Sequence, residues 1–581
     1  MFDVMFKLKD FFKRYKKDYI ISFVTMFLSN IFSVLIPYLM GQFIDHIVVG
    51  DLTYKLFGQL TAIFIFSLIG AYLLEFTWSY YLFTGAAKLQ RNMREQLMDH
   101  YLEMRAIFYE KFRVGDLMAR STQDLRSISN TAGFGMMVLM NATLFLTTII
   151  TMMGATVSWR LTFFTLLPLG ILAYAFGKIG DIVEKRYAIS QKAFSELNND
   201  VLEVVDGIRV IRAYVKEADY IEKFRAETES MLEKNNKVAE ANALFMPLVK
   251  LLTSISIVIS FGYGALLVVE GALSVGNIVA FQMYLTMLVW PIISIGELTN
   301  ILRQGSASMI RVEEVLETGD EMEATGEKAI ESASDELVMH DLNFQYPTSP
   351  ALNLANIDVV IPKGKMLGIV GKTGAGKTTL LRQMLRQYPL GDGELRYGME
   401  NVLNLHNHQF QGLIGYVPQD HILFSRSVRE NIAFGKGKAS EEEIMESIRI
   451  AAFEEDLLKM EEGLDTLVGE KGVSVSGGQK QRISLARALI KNPEILILDD
   501  SLSAVDAKTE QKIIENIQQV RSDKTTIIST HRLSAIKEAD EIIVLEDGEI
   551  IERGTHNELV QLKGWYYTQY LRQELKEGGD R

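Results

Sequence analysis

Apolar residues are spread unevenly along this chain. Six intervals in its first half carry no charged side chain: 19–44, 56–74, 127–159, 161–177, 251–269 and 271–296. About 20 consecutive apolar residues in a helix cross the hydrocarbon core of a bilayer, so the pattern predicts six transmembrane helices. The fourth interval is the shortest, and Arg160 and Lys178 at its ends are long enough to reach the interfaces. Buried helices of a large soluble core are the competing explanation, which six such runs in succession disfavour.

The charges between the intervals orient the spans. Segment 88–126 contains Lys88, Arg91, Arg94, Arg105, Lys111, Arg113, Arg120 and Arg126, whereas the connections after the first, third and fifth spans are short and poor in Lys and Arg. The positive-inside rule places 88–126 in the cytoplasm, and an even number of crossings leaves both termini there. Segments 88–126 and 178–250 are long, charged and helix-compatible, so spans two to five are expected to continue as helices well past the bilayer. Residues 1–18 interleave Lys7, Lys9, Lys13, Arg14, Lys16 and Lys17 with aromatic and aliphatic residues, the pattern of a basic amphipathic helix on an anionic membrane face.

Glu75 stands between charge-free runs at 56–74 and 76–87, with Tyr72, Trp78, Tyr80 and Tyr81 near it in sequence. An ionisable group at membrane depth is costly, which makes Glu75 a candidate for attracting cationic aromatic substrates; the plainer role is an acid paired within the bundle or at the interface. Met136, Met137, Met140, Met152 and Met153 offer either a soft recognition surface or ordinary packing. Composition adds little to this picture. Apolar residues make up 48% of the 581, and the net charge of −13 sums a basic part and an acidic part, so it points to no single partner and not to nucleic acid. With no cysteine, disulfides and thiolate metal sites are excluded.

Beyond Arg311 the pattern changes. Residues 317–336 (ETGDEMEATGEKAIESASDE) read as an acidic linker closing a membrane domain at 19–316, and from Leu337 to Arg581 period-two strands alternate with amphipathic helices, enough for one α/β domain. Within it, Gly371-Lys-Thr-Gly-Ala-Gly-Lys-Thr378 follows an apolar strand at 366–370 and opens a helix, the context a P-loop requires. Gly371, Gly374 and Gly376, with Thr373 and Ala375 between them, let backbone N–H groups close around phosphates. Lys377 supplies charge at the β and γ positions, the Thr378 hydroxyl is a ligand for Mg²⁺, and Thr379 continues the helix start. In ILILDDSLSAVD (495–506) four apolar residues run into Asp499 and Asp500, a buried strand ending where open α/β sheets place ligands. Asp499 is thereby placed to hold the magnesium, directly or through water. Ser476, Gly477, Gly478 and Gln479, opening another helix, form a second anion cradle, and one ATP does not need two cradles in one domain.

Together and in this order these motifs resemble the ATP-binding cassette (ABC) transporters, in particular exporters that fuse six spans to one nucleotide-binding domain. The likeness covers nearly the whole chain. It implies a six-helix α transmembrane domain followed by an α/β P-loop domain of the ABC type, with ATP and Mg²⁺ as cofactors, in the plasma membrane. Tyr346 of FQYP would stack on adenine, Gln419 of YVPQD would join Thr378 and Asp499 at the metal, and Gln419, Asp500 and His531 of STHR would form the catalytic set. Two cassettes would meet head to tail, each ATP lying between one subunit's P-loop and the other's Ser476–Gln479 signature, so the chain would be a half-transporter that dimerises. Short docking helices are implied near Tyr109 to Leu117, with Gly115, Asp116, Arg120 and Asp124 on the family pattern, and near Asp206 to Tyr214, with Glu470 beside the partner's docking helix. Closure of the cassettes would swing the spans from inward-facing to outward-facing.

One position departs from the family. Where it has the glutamate that orients the attacking water, this chain has Asp500. One methylene fewer withdraws the carboxylate by about 1–1.5 Å, a displacement that costs on the order of 100-fold in a positioned reaction. The expectation is a subunit of a heterodimeric multidrug exporter, weak at its own ATP site and completing the partner's site with an intact signature. The alternative is a homodimer with Asp500 as a slower base. A lipid or peptide exporter shares the architecture, and an ATP-gated channel or sensor is a different class, against which His531, Gln419 and the full signature argue.

Overall fold

The computed structural model describes residues 3–320, 326, 328–330, 336–469 and 475–578. The chain divides into two units, Met1–Glu103 with Phe112–Gly319, and Met104–Lys111 with Asp320–Arg581. The helices of the first part of the chain are α1 (Lys16–Val49), α2 (Tyr54–Glu103), α3 (Ala106–Lys111), α4 (114–158), α5 (Trp159–Asp206), α6 (Glu217–Ala243), α7 (Phe245–Val269) and α8 (Val275–Glu317), of which α3 belongs to the second unit.

Among the described residues five helical stretches are long and apolar enough to cross a membrane, and the 93-residue stretch Val114–Asp206 is broken at Ser158, which accounts for the sixth crossing. The sequence puts this boundary at Arg160. The structure puts it at Ser158, whose extended backbone (φ −165°, ψ 127°) and hydroxyl, accepting Leu161 N–H at 3.4 Å, cap α5. Trp159 folds over Gly154, where a Cβ would lie 2.4 Å from the indole. α2 has 50 residues, or about 75 Å at 1.5 Å each, more than twice the hydrocarbon thickness. Its most apolar window is only 11% buried, with Ile63, Phe66, Leu73 and Phe76 exposed, which decides against the helices of a soluble core.

Small residues let α1 and α8 touch backbone to backbone. A Cβ on Gly276 would stand 2.0 Å from Gly41 O, and Asp45 accepts Gly276 N–H (2.7 Å) and the Ser274 hydroxyl (2.6 Å). The bundle core runs through Leu161, Leu169, Phe281, Tyr284 and Leu288, with the Tyr284 hydroxyl donating to Val34 O at 2.9 Å. At the far end of α8, Arg120 is buried and donates to Asp116 (2.8 Å) and Glu314 (2.9 Å). Arg311 donates to Asp116 (2.6 Å) and Ser308 to Asp124 (2.9 Å). The polar residues of 115–124 thus latch α4 to α8. The five methionines are half-buried or buried in the bundle, as packing residues are. At the N-terminus the amphipathic helix expected over 1–18 is divided into Asp3–Lys7 and Lys9–Arg14, with Lys16 already opening α1; Leu8 at the first break is buried and Lys7 pairs with Glu313.

The second unit is α/β. An antiparallel sheet contains β1 (Leu337–Phe344), β2 (Leu354–Ile361) and β4 (Asp392–Tyr397). The other sheet contains β3 (Met366–Gly371), β5 (Ile414–Val417), β6 (Ile495–Asp499), β7 (Thr525–Ser529), β8 (Glu541–Glu546) and β9 (Glu549–Gly554), in the order β9-β8-β3-β7-β6-β5. Every neighbouring pair in it is parallel except β8 with β9. β3, β6 and β7 are buried throughout, which is why they read as unbroken apolar runs. Helices α9 (Lys377–Met384), α10 (Gly477–Leu489), α11 (Ala507–Val520) and α12 (Trp565–Gly578) flank the sheets.

Within this unit α3 packs Ala106 and Ile107 against the core containing Leu380, Leu381 and Tyr388, Phe108 is buried, and Glu110 accepts the Tyr388 hydroxyl. Arg105 pairs with Asp320 at 3.3 Å. The docking stretch expected near 109–117 is divided: residues 109–111 fall in the second unit with the rest of α3, and 112–117 in the first, where Val114 is exposed. The second expected docking stretch forms a short helix, Ile208–Ala213, in the first unit, with Val210, Tyr214 and Val215 exposed. Glu470 and most of the linker 317–336 lie outside the described residues.

Candidate nucleotide site

The parallel sheet gathers most of the expected residues at one edge. β3, β5, β6 and β7 run in the same direction, and registers Val417 with Leu498, Asp499 with Ser529 and Ser529 with Ile369 align their C-terminal ends. The loop 371–376, Gln419, Asp499, Asp500 and His531 all leave the sheet there, the position where open α/β sheets hold ligands.

The loop between β3 and α9 has Gly374 at φ +86° and Gly376 at φ +101°, conformations that side chains resist, and a Cβ on Gly376 would stand 3.0 Å from Asn353 O. Thr373 is exposed and Ala375 buried. Lys377 lies 8% exposed, its Nζ donating to Gly371 O (2.9 Å) and Lys372 O (3.0 Å), so two of its three donors brace the loop. Burial lowers its pKa, while the charges of Asp500 and Asp499 oppose the shift. The Thr378 hydroxyl donates to Asp499 Oδ1 at 3.3 Å. Asp499 is 1% exposed, burial raises its carboxyl above the usual range, and its Oδ2 makes no hydrogen bond among the described residues. A buried carboxylate oxygen without a donor beside a threonine hydroxyl is a pair of hard oxygen ligands, and these fit Mg²⁺.

Asp500 follows in the left-handed region at φ 44°, held by its N–H donating to Ser529 O (2.8 Å) and by the Ser503 hydroxyl on its own carbonyl (3.0 Å). Gln419 is exposed beyond β5. His531 is exposed beyond β7, and its pKa is lowered first by partial burial and then by the charge of Lys377. Tyr346 is half-buried, with its hydroxyl donating to Thr379 Oγ1 and accepting from Arg382, both at 3.3 Å, and its ring edge-on to Tyr388 at 5.0 Å. The ring is thus moored beside the helix that follows the loop.

The second cradle stands apart. Ser476 caps α10 with Gln479 in reciprocal hydrogen bonds, Gln479 N–H to Ser476 Oγ (3.3 Å) and Ser476 N–H to Gln479 Oε1 (2.9 Å). A Cβ on Gly478 would approach Ala504 O within 3.0 Å, and Gln479 also donates to Asp456 (3.0 Å). Among the described residues no hydrogen bond joins 476–479 to 371–379. Glu75 lies in the other unit, exposed on α2 over a cleft of about 580 Å³ with Tyr72, Phe76 and Tyr80, the last two stacked at 6.4 Å. Motif reading passed over Arg382, Tyr388, Arg532 and Gln573, whose contacts are set by tertiary packing and carry no local sequence signal.

Known proteins resemble this chain in sequence and in fold. A family model described as the ABC transporter transmembrane region matches residues 19–292, and one described as ABC transporter matches 354–503. The probable multidrug resistance ABC transporter ATP-binding/permease protein YheI of Bacillus subtilis (strain 168) is 47% identical, covering 100% of both chains. The multidrug resistance-like ATP-binding protein MdlA of Escherichia coli (strain K12) is 35% identical over 99% of this chain and 97% of its own. The structure of a bacterial Atm1-family ABC exporter with ATP bound superimposes with a TM-score of 0.80 at 22% identity, covering 96% of this chain and 99% of that one, and so shares the fold. The chain belongs to the ABC transporter family, as an ATP-driven exporter that carries its membrane-spanning helices and its nucleotide-binding domain on one polypeptide.

Proposed function

We propose that this chain is one of two non-identical subunits of an exporter that moves amphipathic drugs and similar hydrophobic compounds out of the cell, with both termini cytoplasmic. Its parts are the basic segment 1–18, the membrane domain 19–316, the linker 317–336 and the cassette 337–581. At its own site Tyr346 carries the adenine, and the N–H groups of 371–379 with Lys377 hold the phosphates. Thr378, Asp499 and Gln419 hold Mg²⁺, which when bound neutralises charge on the phosphates. Gln419 and His531 flank the γ-phosphate. Gly477 and Gly478 offer their N–H groups at the start of α10 to ATP on the partner's P-loop, between Ser476 and Gln479, whose own N–H groups close the cap.

The observation that carries the unequal pairing is Asp500. Its carboxylate is a methylene short of the position from which the family's glutamate orients water, so this site holds ATP and cleaves it poorly, while the signature completes a working site on the partner. The exposed tip at Val210, Tyr214 and Val215 offers an apolar knob for the partner's cassette. The multidrug names of the similar proteins support the cargo class, and Glu75 among exposed aromatic rings suits cationic amphiphiles. Purified alone in detergent, the chain should hydrolyse ATP slowly, and purification from its native membrane should bring down a second half-transporter. Vigorous turnover by the chain alone would overturn the heterodimer. For the cargo, Glu75→Gln should slow transport of cationic but not neutral amphiphiles into inverted vesicles; equal transport of both removes Glu75 from the path.

A further inference from the structure

The C-terminal helix is the part of the cassette that no motif assigns. It is firmly rooted: Tyr566 is fully buried in the core, Glu552 of β9 accepts the N–H groups of Trp565 and, at 3.1 Å, Tyr566, and the Tyr566 hydroxyl lies 2.9 Å from His556 Nδ1. Seven residues later, two turns along the same face, stands Gln573. Its carboxamide grips the loop after β7 at two points, Nε2 donating to His531 O (2.8 Å) and Oε1 accepting Leu533 N–H (2.9 Å). The same loop is held from another direction by Arg532, which donates to Ser503 O (2.9 Å), Val505 O (2.8 Å) and Glu510 (2.9 Å). Between α12 and the P-loop remains a cleft of about 190 Å³ lined by Lys372, Thr373, Thr530, His531, Trp565 and Gln573.

Among the described residues the His531 imidazole makes no hydrogen bond of its own, so where it stands is decided by its backbone. We propose that Gln573 is a positioning residue for His531, fixing through that backbone where the imidazole meets the γ-phosphate. Both polar ends of the carboxamide are used, donor and acceptor, on groups two residues apart, so the grip sets orientation as well as distance. Arg532 ties the loop to the 503–510 segment, and Gln573 ties it to α12, which is rooted in the core at Tyr566. The proposal rests on the reading that His531 acts at the γ-phosphate.

The test compares MgATP with MgADP, which lacks that phosphate, in calorimetric titrations of the full-length chain in detergent. Gln573→Ala should weaken MgATP about fivefold, the size of one or two neutral hydrogen bonds, and leave MgADP within about twofold. Gln573→Glu keeps the acceptor for Leu533 N–H but turns an oxygen toward His531 O, and should shift the ATP-to-ADP ratio in the same direction. In a His531→Ala background Gln573→Ala should change the ratio no further, an outcome a purely structural role does not produce. If Gln573→Ala weakens both nucleotides equally, or neither while His531→Ala lowers the ratio, the positioning role is overturned by itself. If His531→Ala leaves the ratio unchanged, the reading of His531 fails and takes the proposal with it.

Discussion

Asp500 sits at φ 44°, a backbone region that costs an ordinary L residue roughly 1–2 kcal/mol and that aspartate tolerates better than glutamate, because its short side chain bonds locally. Replacing it with glutamate therefore sets two effects against each other. Added strain costs about 1 kcal/mol of stability, whereas restored reach is worth up to about 100-fold in the positioned step, or roughly 2.7 kcal/mol. Reach wins: Asp500→Glu should raise single-turnover hydrolysis at this chain's P-loop by at least about tenfold while lowering the melting temperature slightly. Hydrolysis that stays at the starting level would mean that side-chain length is not what limits the site. The identity of this residue was legible in the sequence, as were Lys377, Thr378 and Asp499. Its left-handed backbone was not, because that follows from the hydrogen bond of Asp500 N–H to Ser529 O across two strands, and the Gln573 grip was invisible for the same reason.

At the scale of elements, charge-free runs revealed the membrane helices because six such runs in succession suit lipid better than a soluble core, and the most apolar window of α2 leaves its side chains exposed. Where a run ended was harder to see: Ser158 breaks the helix two residues before the charge that marks the interval, since a capping hydroxyl and an indole packed on Gly154 decide it. The docking stretch expected near 109–117 straddles the end of α3, and the polar residues at 115–124 that follow the family pattern serve the α4–α8 latch. α3 meets the cassette through Tyr388, which also edges against Tyr346, the expected adenine residue. Tyr388→Phe keeps the ring and removes the hydroxyl that Glu110 accepts. It should leave MgATP affinity within about twofold, since no nucleotide-facing group changes, but lower transported substrate per ATP hydrolysed in proteoliposomes by several-fold, as a hydrogen bond to a charged group is worth about 1.5–3 kcal/mol. An unchanged transport ratio would mean that the hydroxyl plays no part and that packing of Ala106 and Ile107 suffices.

At the scale of the whole molecule, the proposed function has each ATP held between one chain's P-loop and the other's signature, and the consequence differs for equal and unequal pairs. In a homodimer, Lys377→Ala and Ser476→Arg each damage both sites and should each abolish turnover. In the unequal pair proposed here, Lys377→Ala empties only the site that already cleaves poorly, whereas Ser476→Arg puts a bulky cation into the cradle over the partner's ATP. The expected result for the complex isolated from its native membrane is a strong asymmetry: Ser476→Arg loses nearly all steady-state hydrolysis, about 100-fold or more, as removal of anion-stabilising groups does, and Lys377→Ala keeps a substantial fraction. The two variants also test different surfaces of a single chain, since Lys377 braces its own loop through Gly371 O and Lys372 O, while Ser476 caps α10 and touches neither. Equal, near-complete loss from both would return Asp500 to the role of a slow but necessary base in a symmetric transporter.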